Sequence, residues 1–295
     1  MFSILIPTYN YVCYPLVQDL HREGGETGVP CEIVVADDGS TREDVLCENR
    51  KINELAGCRY IELKENIGRA RIRNFLASKA AGDWLIFIDC DARVSSPHFL
   101  ENYVRATQQG VPVVCGGLVT PSAPPSSLCM LRYRYEKRAD KKRGAALRSL
   151  HPYEQFSTFN FLIKKDLFLS IGFDESLFRY GYEDTLFGIN LRKRNIPIAH
   201  IDNPLVHMGI ENSELFLSKT KEALDNLVKL QPALQESSGV LKTALILQQL
   251  HMVPLFLFGW KIVGRSVENN LHGRRPSLFL FSLYKLAYYL QQCKR

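Results

Sequence analysis

The sequence predicts an α/β protein in which helices flank a mostly parallel sheet and a C-terminal amphipathic helical extension follows. In residues 2–116, short apolar runs alternate with segments of helix length, and most runs are apolar throughout. This alternation is typical of βαβ units, and continuous apolar runs are typical of strands buried on both faces. Two aromatic and aliphatic stretches beyond residue 240 predict the extension.

The first part of the chain is predicted to contain five strands and four helices. The strands are the runs at 2–7, 31–37, 58–63, 83–89 and 111–117, and the helices lie between them at 11–24, 42–56, 68–81 and 96–109. In open sheets of this type, ligands bind outside the carboxyl ends of the strands. The polar residues that end each run are therefore the candidate site residues.

Beyond residue 118 the alternation is less regular. Residues 120–127 are rich in proline and serine, which predicts a loop, and a short helix is expected in the basic stretch that follows. The remaining elements are predicted strands at 157–163 and 197–202 and predicted helices at 183–195 and 213–231.

The composition is that of a folded globular protein, with 46% hydrophobic and 23% charged residues. None of the eight cysteines forms a CxxC pair, so we expect no structural zinc site, and their apolar surroundings favour free thiols. The first apolar run has no basic segment before it and meets Pro7 early, so we expect no signal peptide and a cytoplasmic protein.

Basic charge is concentrated in an insert at residues 132–148. This insert has eight Lys or Arg and two acidic residues, an excess that equals the net charge of +6 of the whole chain. Nucleic-acid binders usually spread basic charge over a face of the domain. We therefore expect no nucleic-acid partner.

The C-terminal region has two possible interpretations. Residues 243–260 carry no charge, but 18 residues is the lower limit for a membrane span, and Pro254 interrupts the segment. A basic connector at 261–275 and a second apolar stretch at 276–290 follow. The helices of 240–295 either lie on an anionic membrane surface or pack on the protein's own core.

Asp89 and Asp91 follow the fourth strand directly. Two carboxylates at the end of a buried strand are costly unless a positive charge lies between them and a ligand. Mg²⁺ and Mn²⁺ are bound in this way, by one or two carboxylates and the phosphates of a substrate. The pair therefore predicts a site for Mn²⁺ or Mg²⁺ and a diphosphate.

Two further motifs lie at strand ends. In Asp37-Asp38-Gly39-Ser40, an acid or Ser40 either caps the next helix or accepts hydrogen bonds from a base or ribose. Residues 66–74 form a turn that opens a basic helix, which is either an anion site or a solvated helix face.

Taken together, these motifs resemble the inverting glycosyltransferases of family 2, which have the GT-A fold. The resemblance covers residues 2–210 and rests on SILIPTYN, VVADDGS, ENIGRARIRN, DWLIFIDCDA and GFDESLFRYGYEDTLFGINLRKRN, which occur in the family's order and spacing. It implies a Rossmann-like GT-A domain at 1–235, with a nucleotide-sugar-binding half at 1–116 and an acceptor half at 117–235. The helical region 236–295 would follow this domain.

The resemblance also implies roles for individual residues. The nucleotide-sugar site would contain Pro7, Thr8, Tyr9, Asp37, Asp38, Asn66, Gly68, Arg73, Asp89 and Cys90. Asp37 is favoured over Asp38 for contact with the base. Asp91 would be the main metal ligand, and Asp89 and His207 would be further ligands. For His207, a structural role is the alternative.

Asp184 is the implied catalytic base. Inversion at the anomeric carbon needs one base that takes the proton of the acceptor hydroxyl. Its neighbour Glu183 would raise the pKa of Asp184 by like-charge repulsion, although adjacent acids also simply begin helices.

The sequence therefore favours a metal-assisted transferase that moves a sugar from a nucleotide sugar, preferably a UDP-sugar, to a glycan or lipid-linked acceptor. Its setting would be cell-surface polysaccharide or lipopolysaccharide synthesis at the inner face of the cytoplasmic membrane. The basic insert would cover the diphosphate, meet an acidic or lipid-phosphate acceptor, or be a solvated helix. A nucleotidylyltransferase is disfavoured because residues 6–15 contain no glycine. A catalytically silent, membrane-associated protein with this fold is the alternative.

Overall fold

The structure is a computed structural model, and it describes residues 1–176, 181–234 and 238–293. The chain forms two compact units. One comprises Met1–Pro121, Lys142–Phe178 and Glu183–Gly209, and the other comprises Ser122–Lys141, Arg179–Tyr182 and Ile210–Arg295. These units are defined by compactness, whereas the predicted division after residue 235 groups residues by function and stays a prediction.

The first unit contains two sheets. The strands are β1 (Phe2–Thr8), β2 (Cys31–Asp37), β3 (Cys58–Glu62), β4 (Trp84–Ile88), β5 (Ala92–Arg93), β6 (Val113–Cys115), β7 (Leu118–Val119), β8 (Asn160–Lys164), β9 (Ile198–His200) and β10 (Leu205–His207). Seven strands form the large sheet in the order β3-β2-β1-β4-β8-β6-β9, and the small sheet has the order β5-β10-β7. Only β8 runs antiparallel to its neighbours in the large sheet, which confirms the predicted mostly parallel sheet.

The predicted helices are present with small shifts at their ends, and the structure adds short helices that were not predicted. They are α1 (Tyr14–Thr27), α2 (Glu43–Arg50), α3 (Arg69–Lys79), α4 (Phe99–Thr107), α5 (Met130–Asp140), α6 (Ala145–Ser149), α7 (Lys165–Ile171), α8 (Glu183–Lys193), α9 (Ser213–Lys229), α10 (Gln231–Leu234), α11 (Gly239–Gln249), α12 (Val253–His272) and α13 (Leu278–Gln292). The predicted helix at 42–56 ends as an α-helix at Arg50 and continues as a 3₁₀ turn at Lys51–Glu54.

The central strands are buried on both faces, as their continuous apolar runs predict. In β1, Ile4 and Ile6 join one apolar cluster and Leu5 joins the cluster on the opposite face. Each such buried side chain contributes about 1.5–3 kcal/mol relative to an exposed one. This burial holds the strands rigidly and fixes the positions of the loops at their carboxyl ends.

The second unit has its own core. Leu131 of α5, Phe216 and Leu217 of α9, and Phe281 and Tyr284 of α13 pack together there. Six side chains of α13 are buried, and this helix contacts α9, α11 and α12. The second apolar stretch therefore forms part of the protein's own core.

The predicted apolar segment 243–260 is not one continuous element. Helix α11 ends at Gln249 and α12 begins at Val253. Between them, the backbone of His251 has a left-handed conformation (φ 54°). Pro254 lies in the first turn of α12, where its missing N–H has no cost. The prediction of a basic connector from residue 261 was wrong in part, because Lys261 and Arg265 belong to α12.

No single helix among the described residues is long and apolar enough to cross a membrane. Taken together, α11 and α12 reach that length and composition, but they are bent by 117° at the break between them.

Candidate functional site

The ends of β1, β2 and β4 meet at one edge of the sheet, because β1 pairs with both of the other strands. The N–H of Asp38 donates to the carbonyl of Thr8 at 2.8 Å and joins two of these ends. The polar residues that follow β1, β2 and β4, which the sequence predicts as candidate site residues, therefore lie at the same edge of the sheet.

Asp37 is fully buried and accepts three hydrogen bonds. The donors are the N–H of Ser40 at 2.6 Å, the hydroxyl of Ser40 at 2.8 Å and the hydroxyl of Tyr60 at 2.7 Å. A carboxylate has about four lone-pair positions, so little capacity remains for a ligand. Burial and this bond to Asp37 raise the pKa of Tyr60 and keep its hydroxyl a donor.

Asp38 connects the acidic turn to the loop before α3. Its carboxylate accepts from the N–H groups of Ile67 at 2.8 Å and Gly68 at 3.1 Å, while burial raises its pKa. Gly39 has a φ of +74°, and a Cβ there would come within 2.5 Å of the backbone of Glu65. Only glycine permits this close approach of the two loops.

The other predicted nucleotide-site residues differ in exposure. Thr8 is buried and its hydroxyl donates to the carbonyl of Tyr11 at 2.9 Å, whereas Tyr9 is 48% exposed and Asn66 is also exposed. Pro7 is partly buried. Tyr9 and Asn66 therefore have side chains accessible to a ligand, and Thr8 has a role in the turn.

Asn10 was missed by the sequence reasoning. It has a φ of +50°, and its Oδ1 accepts from the N–H groups of Thr41 at 2.9 Å and Arg42 at 3.2 Å. This side chain fixes the turn before α2. The asparagine that ends PTYN was the available signal, because asparagine tolerates left-handed backbone and caps turns.

Arg69 and Arg73 lie one turn apart on α3 and contact different acids. Arg73 is 3% exposed and donates to Asp89 at 2.6 Å, and Arg69 lies 3.8 Å from Glu183. The charge of Arg69 also reaches Asp91. The start of α3 thus connects the acids after β4 with those that begin α8.

Asp91 and His207 come together, although 116 positions separate them in the sequence. His207 Nε2 lies 3.2 Å from Asp91 Oδ2, and the N–H of Met208 donates to the carbonyl of Asp91 at 2.8 Å. Burial opposes ionisation of Asp91, but the hydrogen bond and charge of His207 and the charge of Arg69 lower its pKa below the usual range. A Cβ at Gly209 would overlap Asp91 Oδ2, so the absence of a side chain at residue 209 leaves room for this carboxylate.

Asp91 and His207 are suitable ligands for a divalent cation. A carboxylate oxygen and an imidazole nitrogen side by side leave the remaining positions to water and phosphate, as Mg²⁺ and Mn²⁺ sites commonly do. The carboxylate of Asp89 is instead paired with Arg73. Within the part of the chain that the structure describes, no three His, Cys, Asp or Glu side chains are close enough to form a ligand group.

Two neighbours complete the surroundings of Asp91. Burial and the charge of Asp91 raise the pKa of Tyr11 to about 12, so its hydroxyl stays protonated beside the acid. Burial also raises the pKa of Cys90, which excludes a reactive thiolate at neutral pH. Tyr11 had not been predicted as a site residue.

Asp184 lies in the first turn of α8, and burial and the charge of Glu183 raise its pKa to about 6. The N–H of Thr185 donates to its Oδ1 at 2.7 Å, and the charge of Arg73 also favours the ionised form. Residues 177–180 of the predicted motif before α8 lie outside the described residues. Such a pKa suits a group that exchanges protons near neutral pH.

The basic insert is divided between structural roles. Arg148 is 4% exposed and donates to the carbonyls of Cys115, Gly116 and Ile201, and Arg132 pairs with the buried carboxylate of Glu136 at 2.6 Å. The basic insert is therefore not a uniformly solvated helix. A contact of the insert with a diphosphate or an acceptor stays a prediction.

Comparison with known proteins gives a family match over more than half of the chain. A sequence model of the family described as Glycosyl transferase family 2 matches residues 3–171. A protein of Haemophilus influenzae described as an uncharacterized glycosyltransferase is 32% identical over 91 residues, which are 31% of this chain and 36% of that protein. The chain therefore matches only about a third of the length of this curated relative.

Solved structures share the fold at low identity. Mannosyltransferase PcManGT from Pyrobaculum calidifontis, in complex with GDP-Man and Mn²⁺, gives a TM-score of 0.61 at 16% identity and covers 99% of this chain and 85% of that one. S. aureus TarS 1–349 in complex with UDP-GlcNAc gives 0.52 at 17% identity, with 100% and 91% covered. A second structure of S. aureus TarS gives 0.51 at 19% identity, with 77% of this chain and 39% of that chain covered.

The family match extends from β1 to α7 and includes the acidic turn after β2, the start of α3 and the two aspartates after β4. The chain belongs to glycosyl transferase family 2 and has the GT-A fold.

Proposed function

We propose that this protein is an inverting glycosyltransferase that moves a sugar from a nucleotide sugar, preferably a UDP-sugar, to a glycan or lipid-linked acceptor. The observation that carries the proposal is the pairing of Asp91 with His207 at the end of β4. It lies within the same unit as Asp184, whose pKa of about 6 suits a base. S. aureus TarS and PcManGT have been solved with UDP-GlcNAc and GDP-Man, respectively, which supports a nucleotide-sugar donor.

Asp91 and His207 would hold Mn²⁺ or Mg²⁺ in the active enzyme. The cation, when bound, offsets the negative charge that builds on the leaving diphosphate. Arg69 and Arg73 place positive charge beside Glu183 and Asp89, respectively, and Asp89, held by Arg73, would contact a ribose hydroxyl or the metal. The nucleoside would lie against Tyr9, Asn66 and the turn braced by Asp37 and Asp38.

Asp184 would take the proton of the acceptor hydroxyl as that oxygen attacks the anomeric carbon. With a pKa of about 6, this carboxylate is mostly ionised at neutral pH and is a stronger base than an ordinary aspartate. Glu183 contributes because its negative charge keeps the pKa of Asp184 high.

The protein would act on the inner face of the cytoplasmic membrane, in polysaccharide or lipopolysaccharide synthesis, with 240–295 as its membrane contact. One face of α12 supports this contact, since Leu255, Phe258 and Ile262 are 65%, 64% and 69% exposed and lie on the same side of the helix. Lys261 and Arg265 are exposed beside them. An exposed apolar stripe flanked by cations is typical of helices that lie in an anionic lipid interface.

Calorimetric titration with UDP, GDP and dTDP, each with and without Mn²⁺, tests the proposal. We expect one nucleotide to bind only with the metal, and Asp91→Ala to abolish this binding. Asp19→Ala, which removes a carboxylate of α1 that is ion-paired with Arg22, is the matched control and should bind like wild type. Absence of nucleotide binding under every condition would contradict the proposal and favour a catalytically silent, membrane-associated protein with this fold.

A further inference from the structure

A cleft of about 740 Å³ lies within the second compact unit. Its walls come mainly from α5, α9, α11 and α13, and none of the candidate site residues lines it. Its volume falls within the range of about 300–1,000 Å³ that is usual for small-molecule sites.

The lining of this cleft is largely apolar and aromatic. Phe216, Leu224, Val240, Phe281 and Leu286 form much of it. Phe279 also lines the cleft and is 68% exposed, which places an aromatic ring at its opening to solvent. No aspartate or glutamate is among the described residues of the lining, so the surface suits a hydrocarbon chain.

The cleft is also lined by a lysine, Lys285, whose ammonium group lies close to two aromatic rings. The ammonium of Lys285 lies 4.8 Å from the centre of the Phe281 ring and 5.4 Å from that of Tyr135. No carboxylate forms an ion pair with Lys285 within residues 1–176, 181–234 and 238–293. Arg132, the other cation of the lining, is instead paired with Glu136.

Aromatic rings stabilise an ammonium without neutralising its charge. The donors of Lys285 therefore remain available to an anion at the edge of an apolar surface. Charge complementarity favours an occupant with a negative head and an apolar tail.

We propose that this cleft binds a lipid that carries a phosphate group. The hydrocarbon chain lies along the apolar wall between α9, α11 and α13, and the phosphate accepts hydrogen bonds from Lys285. The inference rests on the proposed function in one respect, because a lipid-linked acceptor would carry such a hydrocarbon chain and phosphate beside the sugar hydroxyl that reacts.

The test is calorimetric titration of the full chain with farnesyl phosphate, farnesol and inorganic phosphate, with each lipid kept below the concentration at which it aggregates. We expect farnesyl phosphate to bind about tenfold or more tightly than farnesol, since only the phosphate reaches Lys285. Inorganic phosphate alone should bind weakly or not at all, because it makes no contact with the apolar wall.

Two variants separate the head from the tail. Lys285→Met should bind farnesyl phosphate and farnesol equally, whereas Lys229→Met, the same change at an exposed site on α9, should keep the preference. Thr243→Trp, which fills the cleft from α11, should weaken both lipids about tenfold or more. Circular dichroism checks that each variant is folded.

Equal binding of the two lipids by wild type, no binding of either, or a retained preference in Lys285→Met would each overturn the inference. Nucleotide titration of the same samples separates it from the proposed function. Intact metal-dependent nucleotide binding without lipid binding overturns the cleft assignment alone. Lipid binding without nucleotide binding overturns the proposed donor site and leaves the cleft assignment in place.

Discussion

Arg69 and Arg73 give the candidate site its electrostatic balance at the scale of single residues. Arg73 neutralises Asp89, while Arg69 lies near Glu183 and acts on Asp91. The charge of Arg73 lowers the pKa of Asp184, but by less than burial and the charge of Glu183 raise it. Two acids of the candidate site therefore have pKa values shifted in opposite directions, since that of Asp91 is lowered and that of Asp184 is raised.

The raised pKa of Asp184 predicts that this residue reduces stability. A carboxyl with a folded-state pKa near 6 and an ordinary value of 3.8 lowers the free energy of unfolding as pH rises from about 4 to 6. Asp184→Asn should therefore be more stable than wild type at pH 7.5, by up to about 3 kcal/mol, because one pKa unit corresponds to about 1.4 kcal/mol. Urea unfolding at pH 7.5 and pH 4 measures this difference, which should fall below about 1 kcal/mol at the lower pH.

The same variant should lose transferase activity by a factor of about 10² or more, since it has no base. In wild type, activity should rise with pH with a midpoint near 6. Asp166→Asn on α7 serves as a control for the loss of one carboxylate. If Asp184→Asn is more stable than wild type but still active, Asp184 is not the catalytic base, and its raised pKa affects stability alone.

Gly209→Ala should disrupt the predicted metal site without replacing either predicted ligand. The added methyl group overlaps Asp91 Oδ2 and must displace this carboxylate from His207. We expect metal-dependent nucleotide binding to weaken about 10- to 100-fold, as for other changes that misplace a metal ligand. Gly144→Ala is the matched control, because a Cβ there meets no atom within 4 Å, and calorimetry with Mn²⁺ compares the two.

The sequence reveals some site residues and not others for a physical reason. Asp89 and Asp91 follow a strand that its apolar run makes recognisable, so their place at the sheet edge is predictable. The roles of Tyr60 and Gly209 depend on partners 23 and more than 100 positions away, and no local pattern encodes such contacts.

At the scale of elements, α12 combines two faces of opposite character. Leu257, Gly264, Val267 and Leu271 are buried on one side, and the apolar stripe of Leu255, Phe258 and Ile262 is exposed on the other. The strands of the large sheet were predictable from their apolar runs, and most helices were predictable as well, whereas β5, β7 and β10 of the small sheet were not predicted. The interruption of the apolar segment was predicted from Pro254, but the bend of 117° between α11 and α12 was not, because the apolar run continues through it.

Replacing the exposed stripe should remove membrane binding without unfolding the second unit. The triple variant Leu255→Ser, Phe258→Ser and Ile262→Ser should bind anionic vesicles at least about tenfold more weakly than wild type, since apolar insertion and charge both contribute. Vesicle flotation at low and high salt measures the effect. Leu169→Ser, which changes a 53% exposed residue of α7, should bind normally. Equal binding by the triple variant would contradict a role of α12.

At the scale of the whole molecule, the two compact units carry different chemistry. The first contains the acids, arginines and histidine of the candidate donor site, and the second contains the apolar cleft and the exposed stripe. The association of Ser122–Lys141 with the C-terminal helices was not predictable, because it depends on packing of α5 against α9 and α13.

Hydrogen exchange followed by mass spectrometry should therefore separate the two ligands. Nucleotide with Mn²⁺ should slow exchange in peptides that cover 37–40, 66–73 and 89–92. Farnesyl phosphate should slow exchange in peptides that cover 240–249 and 279–286. Protection by each ligand in the regions assigned to the other would contradict this division.

The pairing of Asp91 with His207 also has a consequence for synthesis on the ribosome. Strands β1 to β4 emerge first and can assemble, because they pair with one another in the order β3-β2-β1-β4. The contacts that hold Asp91 come from β10 and from the backbone of Met208, which emerge more than a hundred residues later. A nascent chain of 170 residues can thus have the turns after β1 and β2 in place while Asp91 still lacks His207, so the proposed metal site would be completed late in translation.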